Sequence, residues 1–369
     1  MKFKHYIFLI FAGLMVISCE NKLDLTDIVK DSKDKQITNI SDTVYIQQSP
    51  IWTGFNKPED IIVGREPFIY VADTQNDRIV MLDVSGKVLG SKAIKHPIAI
   101  AQDYRLNLIV CAQFDTTINS NQVTFSAVYK IDLVDAGHIL NSAEVTRVLP
   151  QNPNDDPFAF TRPDRQYTGV TVFFDNSIYV SRKGPKNSNP IDRDNAILTL
   201  KYIQSSNSPA GVKDSLIVGK VPLLEAEGTG MMSANKISSL TSFNRKSLDI
   251  ILTLIGDNSF KVQWLQFVVN PDFSGYQPKL PAFSSDMMQV NKFGKPEDTA
   301  LDNAGNIFVA DAQKDSIFKF NSFGDELQSF GGSDLLNEPH AVAFFDKILY
   351  VLDTGNDRIV RFILSTDTQ

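Results

Sequence analysis

The stretch Lys57-Pro58-Glu59-Asp60, continued by Ile69-Tyr70-Val71-Ala72-Asp73 and Gln75-Asn76-Asp77-Arg78-Ile79, decides the fold because the chain repeats it. A second copy lies 238 residues later, without a gap, at residues 295–298, 307–311 and 313–317. A third, looser copy occupies residues 338–340 and 349–359, and its strand-ending aspartate follows that of the second copy by 42 residues. A self-similar unit of about 40 to 50 residues, made of strands and turns, is typical of a β-propeller blade.

The rest of the chain divides into units with the same succession of strands. Six units are predicted, beginning near residues 57, 96, 168, 237, 295 and 338. The last unit supplies strands at 341–344, 347–352 and 358–364, and no fourth strand. Because ring closure removes exposed sheet edges, we expect the strand near Val44 to complete the last blade. The sequence therefore predicts an all-β fold, a six-bladed β-propeller over residues 41–369.

The repeated pattern also resembles a known family. Proline before an apolar strand and aspartate at the end of the next strand resemble the NHL repeat in the units beginning at 57, 295 and 338, and the first and last of these also have its Asn-Asp turn followed by arginine. The resemblance implies a propeller of the kind found in lipoproteins of bacterial envelopes. On physical grounds, Asp73, Asp311 and Asp353 are expected to accept hydrogen bonds from turn amides, and Arg78 and Arg358 to pair with such aspartates. We interpret these residues as scaffold.

Charge and cysteine content limit the function classes. The formal net charge is −7, from 36 basic and 43 acidic residues. Sequence-independent nucleic-acid binding needs a basic patch, so the composition argues against a nucleic-acid partner. The chain has two cysteines, Cys19 and Cys111, and no disulfide framework is expected if Cys19 is acylated. Cys111 lies in the apolar run 108–112 and is predicted to be a core residue.

The N-terminus carries an export pattern. A basic head at residues 2–5 precedes an apolar run at 6–17, which is short for a membrane span and typical of a signal peptide. The run ends in Val16-Ile17-Ser18-Cys19, which resembles a bacterial lipobox. We therefore predict a signal peptide at 1–18, a lipidated Cys19 that begins a flexible tether at 19–40, and anchoring in a bacterial outer membrane, facing either side. The alternative is an ordinary secretory signal with a chance cysteine.

Four long insertions are expected to share one face of the propeller. Hairpins between the second and third strands of a blade lie on the same face as the crossovers between blades, and long loops gathered there favour a binding surface. Loop growth without a function would scatter over both faces. The predicted hairpin loops are 113–122 and 182–195, and the crossovers are 150–167 and 222–236. The candidate binding residues of this face are Phe158, Phe160, Tyr167, Arg182 and Lys183.

A second candidate site lies where the innermost strands begin, at the mouth of the central channel. Carboxylates that face each other there could hold a calcium ion through oxygen ligands, or could be solvated. No other cofactor is predicted, and the identity of any metal stays open. The residues of this candidate site are Glu59, Asp60, Glu297, Asp298 and His340.

The inventory of catalytic groups favours a binding protein over an enzyme. Pro339-His340 resembles the zinc-ligand position of NHL-type lyases that act on amidated peptides, but Glu59, Ile98 and Glu297 stand at corresponding places. Nucleophile-elbow and phosphate-loop motifs are absent from the sequence. We expect a non-enzymatic binding or scaffold module for an envelope protein, a peptide or a glycan. The alternative is a metal-dependent hydrolase that resembles propeller lactonases.

Overall fold

The computed structural model describes residues 43–153, 158–203, 215–243, 246–279 and 286–368. The predicted signal peptide, Cys19 and the tether lie outside these residues. The chain divides into two units, the larger of which runs from Tyr45 to Ile363. In the smaller unit, the Ser365 amide donates a 2.8 Å hydrogen bond to the Val44 carbonyl. Among the described residues, no helix has the length and apolar character needed to cross a bilayer.

The described residues form 24 strands in six four-stranded sheets, and each sheet is one propeller blade. The predicted all-β, six-bladed β-propeller is therefore confirmed. The first three blades are β2 to β5 (Asp60–Val63, Ile69–Asp73, Arg78–Leu82, Val88–Ala93), β6 to β9 (Ala99–Gln102, Leu108–Ile118, Asn121–Asp132, Glu144–Leu149) and β10 to β13 (Gln166–Val172, Ile178–Lys183, Ala196–Ile203, Ser215–Lys220). The last three are β14 to β17 (Ile237–Ser242, Ile250–Leu254, Val262–Asn270, Phe273–Pro278), β18 to β21 (Pro296–Leu301, Ile307–Asp311, Ser316–Phe320, Glu326–Gly331) and β22 to β24 (Pro339–Phe345, Ile348–Asp353, Arg358–Leu364) with β1 (Tyr45–Thr53).

The last blade takes its fourth strand from the other end of the chain, as the sequence predicts. The strand order of its sheet is β1-β24-β23-β22, so β1 forms the outer edge. Side chains close the ring as well. The Thr354 hydroxyl donates a 2.6 Å hydrogen bond to the Pro58 carbonyl, and the Lys57 amide donates one of 2.7 Å to Asp357 Oδ1.

The turn aspartates of the three well-matched repeats connect successive blades. Asp77, Asp315 and Asp357 adopt left-handed backbone conformations with φ of 50°, 47° and 54°, which short polar residues tolerate. Each carboxylate also accepts a hydrogen bond from the first segment of the following blade. Asp77 accepts from the His96 amide at 2.7 Å, and Asp315 accepts from the Glu338 amide at 2.8 Å. One residue thus shapes a turn and joins two blades.

The strand-ending aspartates act as predicted. Asp73 is fully buried and binds Arg78 Nε at 2.7 Å, and Asp353 binds Arg358 Nε at 2.6 Å. In the fifth blade, serine replaces the arginine, and Asp311 accepts hydrogen bonds from turn amides instead, including that of Gln313 at 3.1 Å. The predicted hydrogen bonds and ion pairs of these residues are therefore present, as a scaffold role requires.

The hydrophobic core lies between neighbouring blades. Tyr70 of the first blade packs in one cluster with Ile100 and Leu108 of the second, and all three are nearly inaccessible to solvent. The strands β3 and β19 are buried along their whole length, and β23 is buried except at its first residue, because a blade covers each of their two faces. Cys111 is fully buried in β7, as expected of a core residue.

Two sequence predictions about strands are wrong or incomplete. Residues 113–122 are not a loop, because β7 and β8 continue as a paired hairpin to Ile118 and Asn121, with a turn at Asn119 and Ser120. Thr116 pairs there with Val123, so hydrogen bonding between the strands maintains a segment that lacks an apolar pattern. The fourth blade also has a last strand, β17, that the sequence analysis did not recognise.

Candidate functional site

The innermost strands of all six blades surround a central channel with a volume of about 600 Å³. The chain reaches each innermost strand at one end of this channel, which we call the channel mouth. Lys183, at the end of β11, also faces it. The six positions that begin the ring are occupied by Glu59, Ile98, Thr168, Ser238, Glu297 and His340.

The two aspartates one position deeper bind backbone groups. Asp60 Oδ1 accepts a 2.7 Å hydrogen bond from the Ile61 amide, and Oδ2 accepts one of 2.6 Å from Ile100 in the next blade. Asp298 accepts from the Ser239 hydroxyl at 2.6 Å and from the Val342 amide of the next blade at 3.1 Å. Both aspartates therefore join neighbouring blades, and the predicted role in ligand binding stays a prediction for them.

Burial makes these aspartates hard to ionise. It raises the pKa of Asp298 to about 6, although hydrogen bonds from Ser239 and Val342 oppose the shift. Burial and the charge of Asp298 also raise the pKa of Asp60 well above its usual range. The two carboxylates face the same channel, so the ionisation of one disfavours the ionisation of the other.

The hydroxyl groups of the mouth also have partners within the protein. Thr168 Oγ1 donates a 2.6 Å hydrogen bond to the Ile237 carbonyl of the next blade. Ser238 Oγ lies 2.8 Å from the Pro296 carbonyl, again across a junction between blades. These two side chains therefore stabilise the ring of blades rather than offer free donors to the channel.

The two mouth glutamates differ although their motifs are copies. Glu297 Oε1 forms a 2.5 Å ion pair with Lys295 Nζ. The equivalent lysine of the first blade, Lys57, instead donates to the carbonyls of Thr354 and Gly355 at 3.4 and 3.3 Å. Glu59 consequently lacks the lysine partner that Glu297 has.

Three titratable side chains of the mouth form no hydrogen bond or ion pair with any described residue, namely Glu59, Lys183 and His340. Burial, reinforced by the charge of Glu297, raises the pKa of Glu59 to about 7. Burial also lowers the pKa of Lys183 and that of His340. The mouth thus presents a half-buried carboxyl group, amine and imidazole that make no direct hydrogen bond or ion pair with a described residue, although the charges of Glu59 and Lys183 act on each other across the mouth.

The four predicted insertions form one continuous layer beside the mouth. The Phe160 ring lies 6.3 Å from that of Phe114, which links the 150–167 crossover to the β7–β8 hairpin. Arg165 Nε binds Asp194 Oδ1 at 2.7 Å, which links the same crossover to the 182–195 hairpin. Asn195 Nδ2 donates to the Ala226 carbonyl at 2.7 Å, which adds the 222–236 crossover. The rigid blades therefore support these segments as a single surface.

The candidate residues of this layer differ in exposure. Phe158 is 64 % exposed, whereas Phe160 is half-buried against aromatic neighbours. Tyr167 and Arg182 are buried, and Arg182 Nη2 binds Asp192 Oδ1 at 3.0 Å. Lys183 turns to the channel instead. A binding role for these five residues stays a prediction, and Phe158 and Lys183 are the members with the greatest access to a ligand.

Arginines hold the 182–195 hairpin through two carboxylates. Asp194 is buried and accepts hydrogen bonds from Arg162, Arg165 and the Lys186 amide at 2.9, 2.7 and 2.8 Å. Burial alone would raise the pKa of Asp192, but the hydrogen bond and charge of Arg165 outweigh burial and lower it. This cluster fixes the chain segment that begins at Lys183.

Sequence reasoning missed two exposed apolar residues of the layer. Ile191 is 82 % exposed and Leu223 is 66 % exposed. The Lys220 ammonium donates a 2.7 Å hydrogen bond to the Ile191 carbonyl, which brings the two segments together. The sequence held one signal for Ile191, because it is a single isoleucine within the polar run 186–195.

The part of the chain that the structure describes offers no set of side chains suited to bind a metal ion. No group of three or more His, Cys, Asp or Glu side chains there is arranged to hold a metal ion. Glu59 and His340 stand among Ile98, Thr168 and Ser238 around the ring, and Glu297 binds Lys295. The suggested calcium ion therefore gains no support from the mouth residues.

Comparisons with known proteins support the fold. No family model and no curated protein sequence matches the chain. A solved protein of unknown function from Bacteroides thetaiotaomicron is 10% identical with a TM-score of 0.54, over 88% of this chain and 76% of that one. A PQQ-bound aldose sugar dehydrogenase from Streptomyces coelicolor is 12% identical with a TM-score of 0.53, over 88% and 98%. A candidate gluconolactonase is 14% identical with a TM-score of 0.50, over 88% and 93%. At these identities the likeness shows the fold alone.

Proposed function

We propose that this chain is a lipid-anchored protein of a bacterial outer membrane whose propeller is a non-enzymatic binding module for an envelope protein, a peptide or a glycan. The observation that carries the proposal is the set of unpartnered side chains at the channel mouth, Glu59, Lys183 and His340. Removing an ionisable group from water without a partner costs free energy. Such groups concentrate at functional sites, where a ligand supplies the missing interactions.

The layer of insertions supports recognition of something larger than the channel can hold. Phe158, Ile191 and Leu223 expose apolar side chains on segments that ion pairs and hydrogen bonds hold in place. Exposed apolar residues on a supported surface are a common feature of binding faces. We propose that this layer extends the contact area of a ligand held at the mouth.

A binding assay tests the mouth as the recognition site. A panel of synthetic peptides and purified oligosaccharides is screened by thermal shift and calorimetry against the wild type and the double variant Glu59→Gln/Lys183→Met. The control is Glu144→Gln/Lys87→Met, which changes the same residue types at exposed positions. Binding by the wild type and the control, but not by the mouth variant, supports the proposal. Equal binding by the mouth variant contradicts it, and conversion of the ligand to a product would contradict the non-enzymatic part.

Membrane anchoring is tested at Cys19. Cys19→Ser removes the only acylation site that the lipobox-like pattern offers, so we expect the exported protein to move from the membrane fraction to the soluble fraction. Cys111→Ser is the matched control, because that thiol is buried in the core and should leave fractionation unchanged. A Cys19→Ser protein that stays with the membrane would contradict the lipid anchor.

A further inference from the structure

We propose that the channel mouth binds a zwitterionic amino compound, an amino acid or a short peptide, with its ammonium group at Glu59 and its carboxylate at Lys183. This inference rests on the proposed function and names the ligand class of that same site. It comes from the pairing of the charged groups around the mouth, which leaves Glu59 and Lys183, one group of each sign, without a hydrogen bond or ion pair in the described part of the chain, although their charges attract each other across the mouth.

The other polar groups of the mouth are already in use. Asp60 and Asp298 accept hydrogen bonds from the next blade, and the hydroxyls of Thr168 and Ser238 contact carbonyls across junctions between blades. Lys295 neutralises Glu297. A ligand therefore meets Glu59, Lys183 and His340 as the groups that can still form strong interactions.

The signs of these groups select the ligand. A cation would pair with Glu59 and leave Lys183 bare, and an anion would do the reverse. A neutral sugar would leave both groups without an opposite charge. A zwitterion satisfies both at once, and charge-assisted hydrogen bonds to ammonium and carboxylate groups are the strong ones. The ligand has no net charge, which matches a mouth with one unpaired carboxyl group and one unpaired amine.

The volume of the channel and the properties of His340 agree with this ligand class. The channel that opens at the mouth has a volume of about 600 Å³, so it has room for a ligand of small-molecule size, whose sites measure about 300 to 1,000 Å³. Burial lowers the pKa of His340, so its imidazole is neutral at pH 7 and offers one donor and one acceptor nitrogen. It can therefore bind either end of a zwitterion without adding a third charge. Ile98, in the same ring, gives the ligand one apolar neighbour.

Calorimetry with capped ligands provides the test. The probes are leucine, Ala-Ala and Ala-Ala-Ala, each compared with its N-acetyl and its C-amide derivative at about pH 7.4, above the pKa of about 7 of Glu59 and below the usual pKa of about 8 of a peptide amino group. We expect at least one of the three zwitterions to bind, and each cap to weaken it by about tenfold or more, because a cap removes one charge-assisted interaction. Comparison of leucine with the peptides distinguishes an amino acid from a short peptide as the ligand.

Variants assign each end of the ligand. Glu59→Gln should abolish the preference for a free amine while retaining the preference for a free carboxylate. Lys183→Met should do the opposite, and Lys183→Arg should restore binding in part. A merely structural role would weaken free and capped ligands alike. The controls are thermal unfolding of each variant and Lys87→Met, which removes an exposed lysine.

Three results would overturn the inference: capped and free ligands that bind equally, variants that do not change the preference for the free end, or no binding of any of the three zwitterions at millimolar concentration. If a ligand from another class binds at the mouth while the zwitterions fail, the inference falls and the proposed function stands. If the mouth variant binds every ligand as well as the wild type does, the proposed function itself is wrong.

Discussion

Lys57 and Lys295 occupy the same position in two copies of one motif, yet only Lys295 binds the glutamate two residues later. Lys57 lies at the ring closure, where the carbonyls of the last blade compete for its ammonium group. Glu59 is left without a contacting lysine and becomes difficult to ionise, because burial and Glu297 disfavour its charge more than Lys183 and Lys295 favour it. A single change of hydrogen-bond partner thus turns a repeated scaffold residue into a candidate ligand group.

Glu59→Gln should change the pH dependence of stability. The pKa of Glu59 rises from 4.5 in its ordinary state to about 7 in the folded protein, so the folded state binds the proton more tightly than the unfolded state. Stability from this group is present below pH 4.5 and is lost as the pH rises towards 7, with a limiting slope of about 1.4 kcal/mol per pH unit. The variant should therefore be more stable than the wild type at pH 8 and similar at pH 4.5.

Urea unfolding of wild type and Glu59→Gln at pH 4.5, 6 and 8 measures this difference, together with the smaller change that loss of the Glu59 charge causes at Asp60. Glu144→Gln, on the exposed outer strand of the second blade, is the control and should leave the pH profile unchanged. Parallel profiles for wild type and Glu59→Gln would contradict the buried, partnerless carboxyl group.

At the scale of the strand and the turn, Asp357→Gly tests whether the turn aspartate joins blades. Glycine keeps the left-handed backbone but removes the carboxylate that accepts from the Lys57 amide at 2.7 Å. The bond is charge-assisted but exposed to solvent, so we expect a loss of only about 1 kcal/mol in the free energy of unfolding. Asn119→Gly, in the left-handed turn of the β7–β8 hairpin, should change it by less than about 0.5 kcal/mol. Equal losses in both variants would mean that Asp357 stabilises only its own turn and not the contact between two blades.

The hairpin that begins at Lys183 depends on buried carboxylates. Asp194→Asn leaves Arg162 and Arg165 without one of their two acidic partners, and loss of one member of a buried ion pair costs about 3 to 5 kcal/mol. We expect a lower melting temperature and faster proteolysis within residues 182–195. Asp115→Asn, which breaks the exposed pair with Lys95, should lower the melting temperature far less, because solvent screens that pair. Similar losses in the two variants would mean that the buried cluster does not hold the hairpin.

These elements also show how far the sequence could predict the structure. The repeat specified the blade count, the strand-ending Asp73 and the pairing of Arg78, because each recurs with fixed spacing. The β7–β8 hairpin was hidden, since Asp115, Thr116 and Thr117 lack an apolar alternation and their pairing comes from the opposite strand. The site was found only in part. Strand position indicated Glu59 and His340, but which glutamate keeps a lysine is decided by contacts between the two ends of the chain.

At the scale of the whole propeller, β1 is a structural element rather than an extension. It covers the edge of β24, which would otherwise present unpaired backbone groups. Its Trp52 is buried, packs 5.7 Å from the Tyr350 ring, and lies so close to Gly86 of the first blade that a Cβ there would overlap the indole. Gly86 also has a φ of 91°, so both the contact and the turn require glycine.

Two truncations test this role. A protein that begins at Gly54 lacks β1, and we expect it to aggregate or to unfold cooperatively at a much lower temperature, whereas one that begins at Thr43 keeps β1 and should melt like the longer chain. Trp52→Ala is the milder variant, since loss of a buried tryptophan costs about 3 to 5 kcal/mol while the strand remains. Thermal unfolding and gel filtration measure all three proteins.

Because Lys57 follows β1 closely and binds Thr354 and Gly355 across the same junction, disruption there should free its ammonium group to pair with Glu59 and weaken ligand binding. If the chain that begins at Gly54 melts like the one that begins at Thr43, the ring is closed by side chains such as Thr354 alone.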